Sequence, residues 1–286
     1  MKAYMDLLEE VLTKGKLKHN RTGVDTIAME GHTFKHDMKD GFPLLTTKKI
    51  KLDSVTKELE FFIKGITDKK WLQDRDCHIW DSWCSQKRYH YQDETRLEEY
   101  KDRELGPIYG WQWRHFGAEY EGFDKSYDGK GIDQLANLLT TLKTNPNSRR
   151  MYVSAWNPTQ IDEMALPPCH YGFYVNILNG KLNLTWDQRS VDVPVGLPFN
   201  IACYGKLLHL IAKESGFKEG ILTGSLKDTH IYVDQVSGVK EQLKRKPFDL
   251  PEIKTENFTS IFDWRYTDSR VVNYKHHNFI KFAVAV

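Results

Sequence analysis

The spacing of apolar residues along the chain predicts four packed helices. The first runs from Lys2 to about Lys16, where apolar positions share one helical face and Gly15 is a plausible end. The second covers about Leu52 to Ile63 and carries an apolar stripe at helical spacing. Two more are expected over about residues 132–143 and, in a strongly apolar stretch, over residues 201–215. These helices supply much of the expected core.

Alternating apolar and polar positions predict strands between the helices. Thr26 to Phe34, Met151 to Trp156 and Asp228 to Val233 read as strands. A strand-like run also follows Cys169, and residues 192–196 beyond it, which include Pro194 and Gly196, are expected to form a turn. Periodicity alone therefore supports a mixed helix and strand protein.

The length of 286 residues is sufficient to bury a substantial core, in one large domain or two small ones. No internal repeat, low-complexity tract or linker divides the sequence, so we predict a single domain over residues 1–286. Two polar segments, at about residues 84–104 and 117–131, are expected to be solvated insertions without catalytic chemistry.

The charge balance excludes a strongly basic nucleic-acid binder. The chain has 41 basic and 39 acidic residues, a net charge of +2, so any anion site must be built locally. Its four cysteines do not form a dense disulfide framework, which indicates a reducing compartment. The first residues have no apolar signal region and no apolar run approaches a membrane span. A cytoplasmic location, of a cell or of an infected host, is the expectation.

Candidate chemistry is concentrated in residues 166–200. Cys169, Arg189, Asp192 and Asn200 place a thiol, a guanidinium, a carboxylate and a carboxamide within one short span, where they could converge on a small polar ligand. A cysteine attacks only as the thiolate, and a neighbouring arginine can lower its pKa. These residues indicate a nucleophilic enzyme, although Cys169 could instead be a small buried hydrophobe.

Other candidates have simpler structural interpretations. Arg21 lies in a turn before Gly23, where an arginine is usually a solvated surface residue. Trp80 and Trp83 are three residues apart, as on one helical face, and core packing would explain them. Adjacent arginines such as those at positions 149 and 150 are commonly surface charge.

Four motifs in order and spacing resemble those of thymidylate synthase, the folate-dependent enzyme that methylates dUMP. They are Leu-Pro-Pro-Cys-His at 166–170, Gln-Arg-Ser-Val-Asp at 188–192, Gly-Leu-Pro-Phe-Asn-Ile-Ala at 196–202 and Asp-Thr-His-Ile-Tyr at 228–232. The resemblance covers essentially the whole chain. It implies an α+β single domain with a large mixed β-sheet at the interface of a homodimer and helices packed on the other face.

The resemblance also implies a covalent mechanism. Addition of the Cys169 thiolate to carbon 6 of dUMP makes carbon 5 nucleophilic, and Glu58 moves protons through water. Tyr109 and His170 assist, and His170 is expected to order water rather than act as the base. The Asn200 carboxamide can donate to the uracil O4 and accept from the ring N–H, which selects uracil over cytosine.

The same resemblance assigns the binding residues. The phosphate is expected on Arg21, Arg189 and Ser190, with Arg149 and Arg150 of the partner subunit, and the sugar 3′-hydroxyl on His230 and Tyr232. Gln188 and Asp192 complete the expected substrate set, and Asp192 also pairs with the pterin ring. The co-substrate 5,10-methylenetetrahydrofolate would be held by Lys48, Ile79, Trp80, Trp83, Asp192, Val195, Gly196, Phe199 and Val286. No metal, membrane or nucleic acid is required.

Departures from the family pattern gather on the folate side. Trp111 replaces a polar residue, Pro194 and Val195 replace Phe-Leu, Lys227 replaces a glycine, and Gln235 replaces a histidine. Glu60 stands where many members carry an apolar or aromatic residue, so it could face solvent or add a second carboxylate.

These departures keep a sister reaction open. A dUMP hydroxymethylase follows the same steps until water adds to the exocyclic methylene and tetrahydrofolate is released. A third interpretation, a non-catalytic nucleotide- or RNA-binding regulator, predicts loss of the nucleophile or the base, yet Cys169, Glu58 and Asn200 are all present.

Overall fold

The computed structural model describes residues 1–84 and 97–283. Val286, an expected folate contact, therefore lies outside the described residues, as do residues 85–96 of the first polar segment. Among the residues described, no helix has the length and apolar character needed to cross a membrane.

The centre of the fold is a mixed sheet of seven strands. They are β1 (Lys16–Lys18), β2 (Thr26–Asp37), β3 (Tyr152–Ser154), β4 (His170–Leu178), β5 (Lys181–Gln188), β6 (Val191–Asp192) and β7 (Lys218–Tyr232). The order is β1-β2-β7-β5-β4-β3, with β6 paired to β7. The β5–β7 and β6–β7 pairs are parallel and the others antiparallel. Strands β8 (Glu252–Thr255) and β9 (Ser269–Val272) form a separate antiparallel pair.

Helices cover one face of this sheet. They are α1 (Lys2–Lys14), α2 (Leu52–Ile63), α3 (Lys70–Gln73), α4 (Leu97–Arg103), α5 (Tyr109–His115), α6 (Gln134–Thr144), α7 (Gly196–Ser215) and α8 (Val236–Leu243). Helix α7 is the most buried and contacts β5, β6, β7 and α2. Along β5, Leu182, Leu184 and Trp186 are buried while the residues between them are half-buried, so only one face joins the core. The predicted α+β fold is confirmed.

Three local predictions from the sequence are corrected. Helix α7 begins at Gly196, five residues before the predicted start at residue 201, because Pro198 falls in the first turn, where a helix has no use for its backbone N–H. Residues 79–82 form a turn instead of a helical face. Strand β7 begins at Lys218, ten residues before the predicted start at Asp228.

The second polar segment, residues 117–131, is largely exposed as predicted, but a few buried residues anchor it. Tyr120 and Tyr127 are buried with Trp111, and both tyrosine rings meet the Trp111 ring edge-on at 5.2 and 5.4 Å. The Tyr120 hydroxyl donates to the buried Glu104 carboxylate. Trp111 therefore belongs to a satellite core that anchors this segment.

The described part of the first segment packs against the second. Tyr100 of α4 is buried and donates its hydroxyl proton to Asp124 at 2.7 Å. Arg103 pairs with Asp68 and lies over the Phe123 ring at 4.3 Å. The described end of the first segment thus packs against the second segment, contrary to the expectation of two separate solvated insertions.

Candidate active site

The pairing of β4 with β5 brings the candidate nucleophile to its arginine. His170 at the start of β4 is the register partner of Gln188 at the end of β5, so Cys169 and Arg189 are neighbours despite their separation in sequence. The Arg189 backbone N–H donates to the Cys169 carbonyl at 2.8 Å. The Cys169 N–H in turn donates to the Tyr109 hydroxyl at 2.9 Å.

Arg189 is fixed beside the thiol by the loop that precedes Cys169. Its guanidinium donates to the carbonyls of Pro168 and Pro167 at 3.1 and 2.8 Å, and Nη2 lies 3.9 Å from the Cys169 Sγ. The positive charges of Arg189 and Arg21 lower the thiol pKa as expected, but burial has the larger effect and the net pKa is raised. The two arginines therefore offset only part of the effect of burial on the thiol pKa.

Tyr109 holds a backbone conformation that few non-glycine residues adopt. Its φ is +21°, and its ring stacks on Phe62 with the centroids 4.8 Å apart. The next residue must be small, since a Cβ at Gly110 would lie 2.1 Å from the Phe62 carbonyl oxygen. Close packing of α5 on α2 therefore places the Tyr109 hydroxyl within hydrogen-bonding distance of the Cys169 backbone N–H.

Glu58 is a carboxyl group adjusted to titrate near neutrality. Its Oε1 accepts a hydrogen bond from the Trp80 indole N–H at 2.9 Å. Burial raises the pKa of Glu58 to about 7, although the Trp80 hydrogen bond opposes the rise. The neighbouring Glu60 is buried and occupied elsewhere, accepting from the Tyr266 N–H at 2.7 Å and pairing with Lys64. Glu60 thus neither faces solvent nor adds a second carboxylate to the site.

The His170 ring lines the cleft and is neutral. Its Nδ1 lies 2.9 Å from the Tyr204 hydroxyl, and burial lowers the pKa of His170 to about 3. A ring that stays uncharged at neutral pH is suited to ordering hydrogen bonds, as the sequence interpretation expected.

Gln188 orients Asn200 instead of lining the cleft. Gln188 is only 2% exposed, and its Nε2 donates to the Asn200 Oδ1 and to the Ser190 carbonyl, both at 3.0 Å. Its Oε1 accepts from the Trp186 indole N–H at 3.1 Å. Both the nitrogen and the oxygen of the Gln188 amide thus have partners within the chain, and its contact with the substrate stays a prediction. Trp186, which the sequence analysis did not select as a site residue, therefore fixes the orientation of the Gln188 amide.

These groups surround a cavity of about 370 Å³. Its lining comprises Glu58, Ile79, Trp80, Trp83, Tyr109, Leu166, His170, Val195, Gly196, Phe199 and Asn200. A second cavity of about 210 Å³ shares Val195 and Phe199 and extends to Lys48 and Phe282. Both tryptophans thus wall the cavity, whereas Trp111 is not among the lining residues.

The end of the cleft near Asp192 is densely hydrogen-bonded. The Asp192 Oδ1 accepts from the Val195 N–H at 3.0 Å, and burial raises the Asp192 pKa. Lys48, 4% exposed, donates to the Pro194 carbonyl and lies 4.6 Å from the Phe282 ring. Burial lowers the pKa of Lys48 to about 8.

The residues predicted to bind the phosphate and the sugar lie in three separate segments of the chain. His230 and Tyr232 leave β7 with their rings edge-on at 5.3 Å, and the His230 Nδ1 lies 2.9 Å from the Asp228 carbonyl. Arg21 is exposed in the β1–β2 loop, and its positive charge lowers the pKa of the Cys169 thiol. Arg149 and Arg150 are exposed in the loop between α6 and β3 and do not line the cavity of their own chain.

A metal centre was not expected, and the absence of metal stays a prediction. Within residues 1–84 and 97–283, no three His, Cys, Asp or Glu side chains are grouped so that they could hold a metal ion.

Known proteins resemble this chain over nearly its whole length. A family model described as thymidylate synthase matches residues 2–286. The bifunctional dihydrofolate reductase-thymidylate synthase of Leishmania major is 43% identical over 99% of this chain and 55% of its own length. The protein of the same name from Paramecium tetraurelia is 40% identical, over 99% of this chain and 61% of its own length. This chain thus spans little more than half of these relatives. The match from residue 2 to residue 286, together with the motifs around Cys169, means that the chain belongs to the thymidylate synthase family.

Proposed function

We propose that this chain methylates carbon 5 of dUMP with 5,10-methylenetetrahydrofolate, giving dTMP and dihydrofolate. The observation that carries the proposal is that Glu58, with a pKa near neutrality, faces the same cavity as Asn200 and as Tyr109, whose hydroxyl binds the Cys169 amide. A base, a uracil-selecting amide and a nucleophile therefore meet at one place. Family membership supports the same activity.

Cys169 starts the reaction by adding its sulfur to carbon 6 of the uracil ring. The ring electrons move onto O4, where the Asn200 amide N–H stabilises the negative charge. Because Gln188 donates to the Asn200 Oδ1, we propose that the Asn200 amide nitrogen is the atom that donates to O4. Since burial raises the thiol pKa, we propose that the thiolate forms as substrate binds, when Arg189 lies next to both sulfur and phosphate.

Glu58 then moves the protons. Carbon 5, now nucleophilic, bonds to the one-carbon unit of the folate and must lose its own proton, which Glu58 accepts through water. Departure of the folate amine leaves an exocyclic methylene, and a hydride from the folate ring converts it to methyl as the sulfur leaves carbon 6. Trp80 and Trp83 hold the folate ring flat against the nucleotide for that transfer.

Binding of the nucleotide follows the motif assignments. We propose that Arg21, Arg189 and Ser190 hold the phosphate, and that His230 and Tyr232 hold the 3′-hydroxyl. Asp192 would accept from the pterin N–H groups, while Lys48, Ile79, Val195, Gly196 and Phe199 would border the folate.

We further propose a homodimer joined through the uncovered face of the sheet. Tyr152 and Trp156 are 42% and 36% exposed on this side of the chain, an unusual exposure for large aromatic side chains. Pairing of two such faces would bring Arg149 and Arg150 of the partner subunit to the phosphate, which explains why both are exposed within one chain. The homodimer would work in the cytoplasm of a cell or of an infected host.

The decisive experiment incubates the protein with dUMP and 5,10-methylenetetrahydrofolate. We expect the absorbance of dihydrofolate to rise and mass spectrometry to detect dTMP. Cys169→Ala should abolish turnover and leave dUMP affinity nearly unchanged. A hydroxymethyl product without dihydrofolate would contradict the proposal in favour of a hydroxymethylase. That alternative loses one of its supports, since Trp111 is not among the cavity-lining residues.

A further inference from the structure

The buried amide of Gln235 joins three segments that border the cleft. Gln235 is 1% exposed and lies in the short helical turn that follows β7. Its Oε1 accepts from the Tyr232 N–H at 3.0 Å. Its Nε2 donates to the Asp192 Oδ2 at 3.2 Å and to the Ala283 carbonyl at 2.9 Å. Both N–H groups and the oxygen are therefore in use.

This amide has only one satisfactory orientation. A flip would set Nε2 against the Tyr232 N–H, donor against donor, and Oε1 against the Asp192 carboxylate, acceptor against acceptor. A buried amide with mismatched partners loses several hydrogen bonds at once. Gln235 therefore links the Asp192 carboxylate to the Ala283 carbonyl through one amide group of fixed orientation, so that a displacement of either is expected to affect the other.

The C-terminal segment, defined here as residues 279–283, packs against α8 and beside the smaller cavity. A Cβ at Gly238 would lie 2.7 Å from Cε1 of Phe282, so a glycine is needed for the Phe282 ring to reach α8. The same ring receives the Lys48 ammonium, which also donates to the Pro194 carbonyl. Phe279, Ile280 and Phe282 of the segment thus line the smaller cavity together with Val195 and Phe199.

We propose that Gln235 is a positioning residue that couples the Asp192 carboxylate to the C-terminal segment, so that pterin binding at Asp192 and covering of the cleft occur together. The inference rests on the proposed function, because it takes Asp192 as the pterin-binding group. The sequence marks Gln235 as a departure from the usual histidine, and the proposed mechanism gives it no role.

The coupling has an electrostatic consequence at Asp192. This carboxylate faces Lys48 from the loop before α2, His230 and Tyr232 from β7, and Tyr4 from α1. Hydrogen bonds from Gln235 and Val195 favour its ionised form, while burial raises its pKa. Removal of the Gln235 donor would raise the Asp192 pKa further, so folate binding would need a higher pH.

The test compares Gln235→Leu with Gln235→His, which keeps one N–H donor, and with Gln160→Leu as a control for loss of a buried amide. Gln160 is 8% exposed and donates to the Ala118 carbonyl, away from the cleft. Four quantities are measured: dUMP affinity by calorimetry, the folate KM, the pH dependence of kcat/KM for folate, and hydrogen exchange in residues 279–283. Exchange is followed with dUMP plus dihydrofolate, a pair that cannot turn over.

For Gln235→Leu we expect the folate KM to rise by about tenfold or more while dUMP affinity stays within about twofold. The acid limb of the kcat/KM profile should move to higher pH, and dihydrofolate should no longer protect residues 279–283. Gln235→His should recover part of each effect, and Gln160→Leu should change none of them. An unmoved pH limb with retained protection would overturn the inference, as would equal losses of dUMP and folate affinity.

Failure of the proposed function would be separately visible. A wild-type protein that binds both ligands without producing dTMP would refute the proposed reaction. The dependence of segment protection on Gln235 would still be read from hydrogen exchange. Normal dTMP production with unaltered Gln235 variants would refute only the coupling.

Discussion

Glu58 keeps its proton near neutral pH because burial disfavours the carboxylate and one indole N–H offsets only part of that effect. A group with this pKa can both accept and return a proton during one cycle, which is the property that general acid–base catalysis needs. Trp80 accordingly has two tasks at the residue scale: its ring walls the cavity, and its N–H sets the proton affinity of Glu58.

We predict that the pH dependence of kcat/KM contains an ionisation near pH 7 that moves to higher pH in Trp80→Phe. Phenylalanine keeps an aromatic wall but removes the hydrogen bond that favours the ionised Glu58, so the Glu58 pKa rises. Glu58→Gln should lose about 10²- to 10⁴-fold in kcat and the ionisation itself. Steady-state rates between pH 5.5 and 9 provide the measurement. An unshifted profile in Trp80→Phe would show that the titrating group is not Glu58.

Individual site residues were predictable where a motif supplied them, and less so where tertiary contacts decide. Arg189 lies beside Cys169, with its Nη2 3.9 Å from the Sγ, and Asn200 lines the cavity. The net pKa of Cys169 was not predictable, because burial depends on the packing of the whole domain. Gln188 illustrates a second limit, since its inward direction follows from the β5 register, which the sequence does not reveal.

At the scale of elements, α2 and α7 pack through an interface that contains an unexpected amine. Lys206 of α7 is 1% exposed and donates to the Thr56 Oγ1 of α2 at 2.6 Å. The Thr56 hydroxyl in turn donates a hydrogen bond to the Leu52 carbonyl at 2.8 Å. Burial lowers the pKa of Lys206 to about 7, with the nearby Cys203 and Asp53 opposing the change.

Lys206 makes stability depend on pH in a defined window. Its pKa is lower in the folded chain than in the unfolded chain, so between about pH 7 and pH 10 the unfolded state binds more protons and stability rises with pH. Lys206→Met should raise the unfolding free energy at pH 7 by about 1 to 4 kcal/mol and flatten this rise. Denaturant unfolding at fixed protein concentration measures both effects. The control is Lys213→Met on the exposed end of α7, which should leave the slope unchanged.

Elements with strong periodicity were predicted well, and irregular segments were not. Helices α1, α2 and α6 begin and end close to the predicted residues because each has one apolar face. Residues 117–131 were misread because Tyr120 and Tyr127 are sparse within a polar segment and acquire a buried role only against Trp111. Contacts of this kind have no local periodicity to reveal them.

At the scale of the whole molecule, each site of the proposed homodimer contains residues from both chains. The uncovered sheet face carries a local network in which Asp187 accepts from Lys227 at 3.1 Å and from the Tyr152 hydroxyl at 3.3 Å. Gly172 makes the approach possible, since a Cβ there would lie 2.1 Å from the Tyr152 hydroxyl. A face that satisfies its own charges in this way can be buried against a second copy at lower desolvation cost.

We predict that two inactive variants complement each other. Cys169→Ser lacks the nucleophile, and Arg150→Glu lacks the arginine that would reach the partner's phosphate site. When equal amounts are refolded together, half of the dimers are mixed and each has one intact site, so about a quarter of wild-type activity should return. Activity assays with size-exclusion chromatography test this. A monomer in solution, or no recovery from mixed dimers, would contradict the shared site.

A chain of hydrogen bonds runs from Trp186 through Gln188 to Asn200. It connects the amide that is proposed to select the base to the hydrophobic core. Trp186 is fully buried and stacks on Tyr204, 5.3 Å between ring centroids, so the orientation of the selecting amide is only as rigid as this packing. In the proposed function, where Asn200 selects the base, fidelity therefore depends on the packing of the interior: an interior that loosens with heat or mutation would let the Asn200 amide rotate and accept cytosine before the reaction itself slowed.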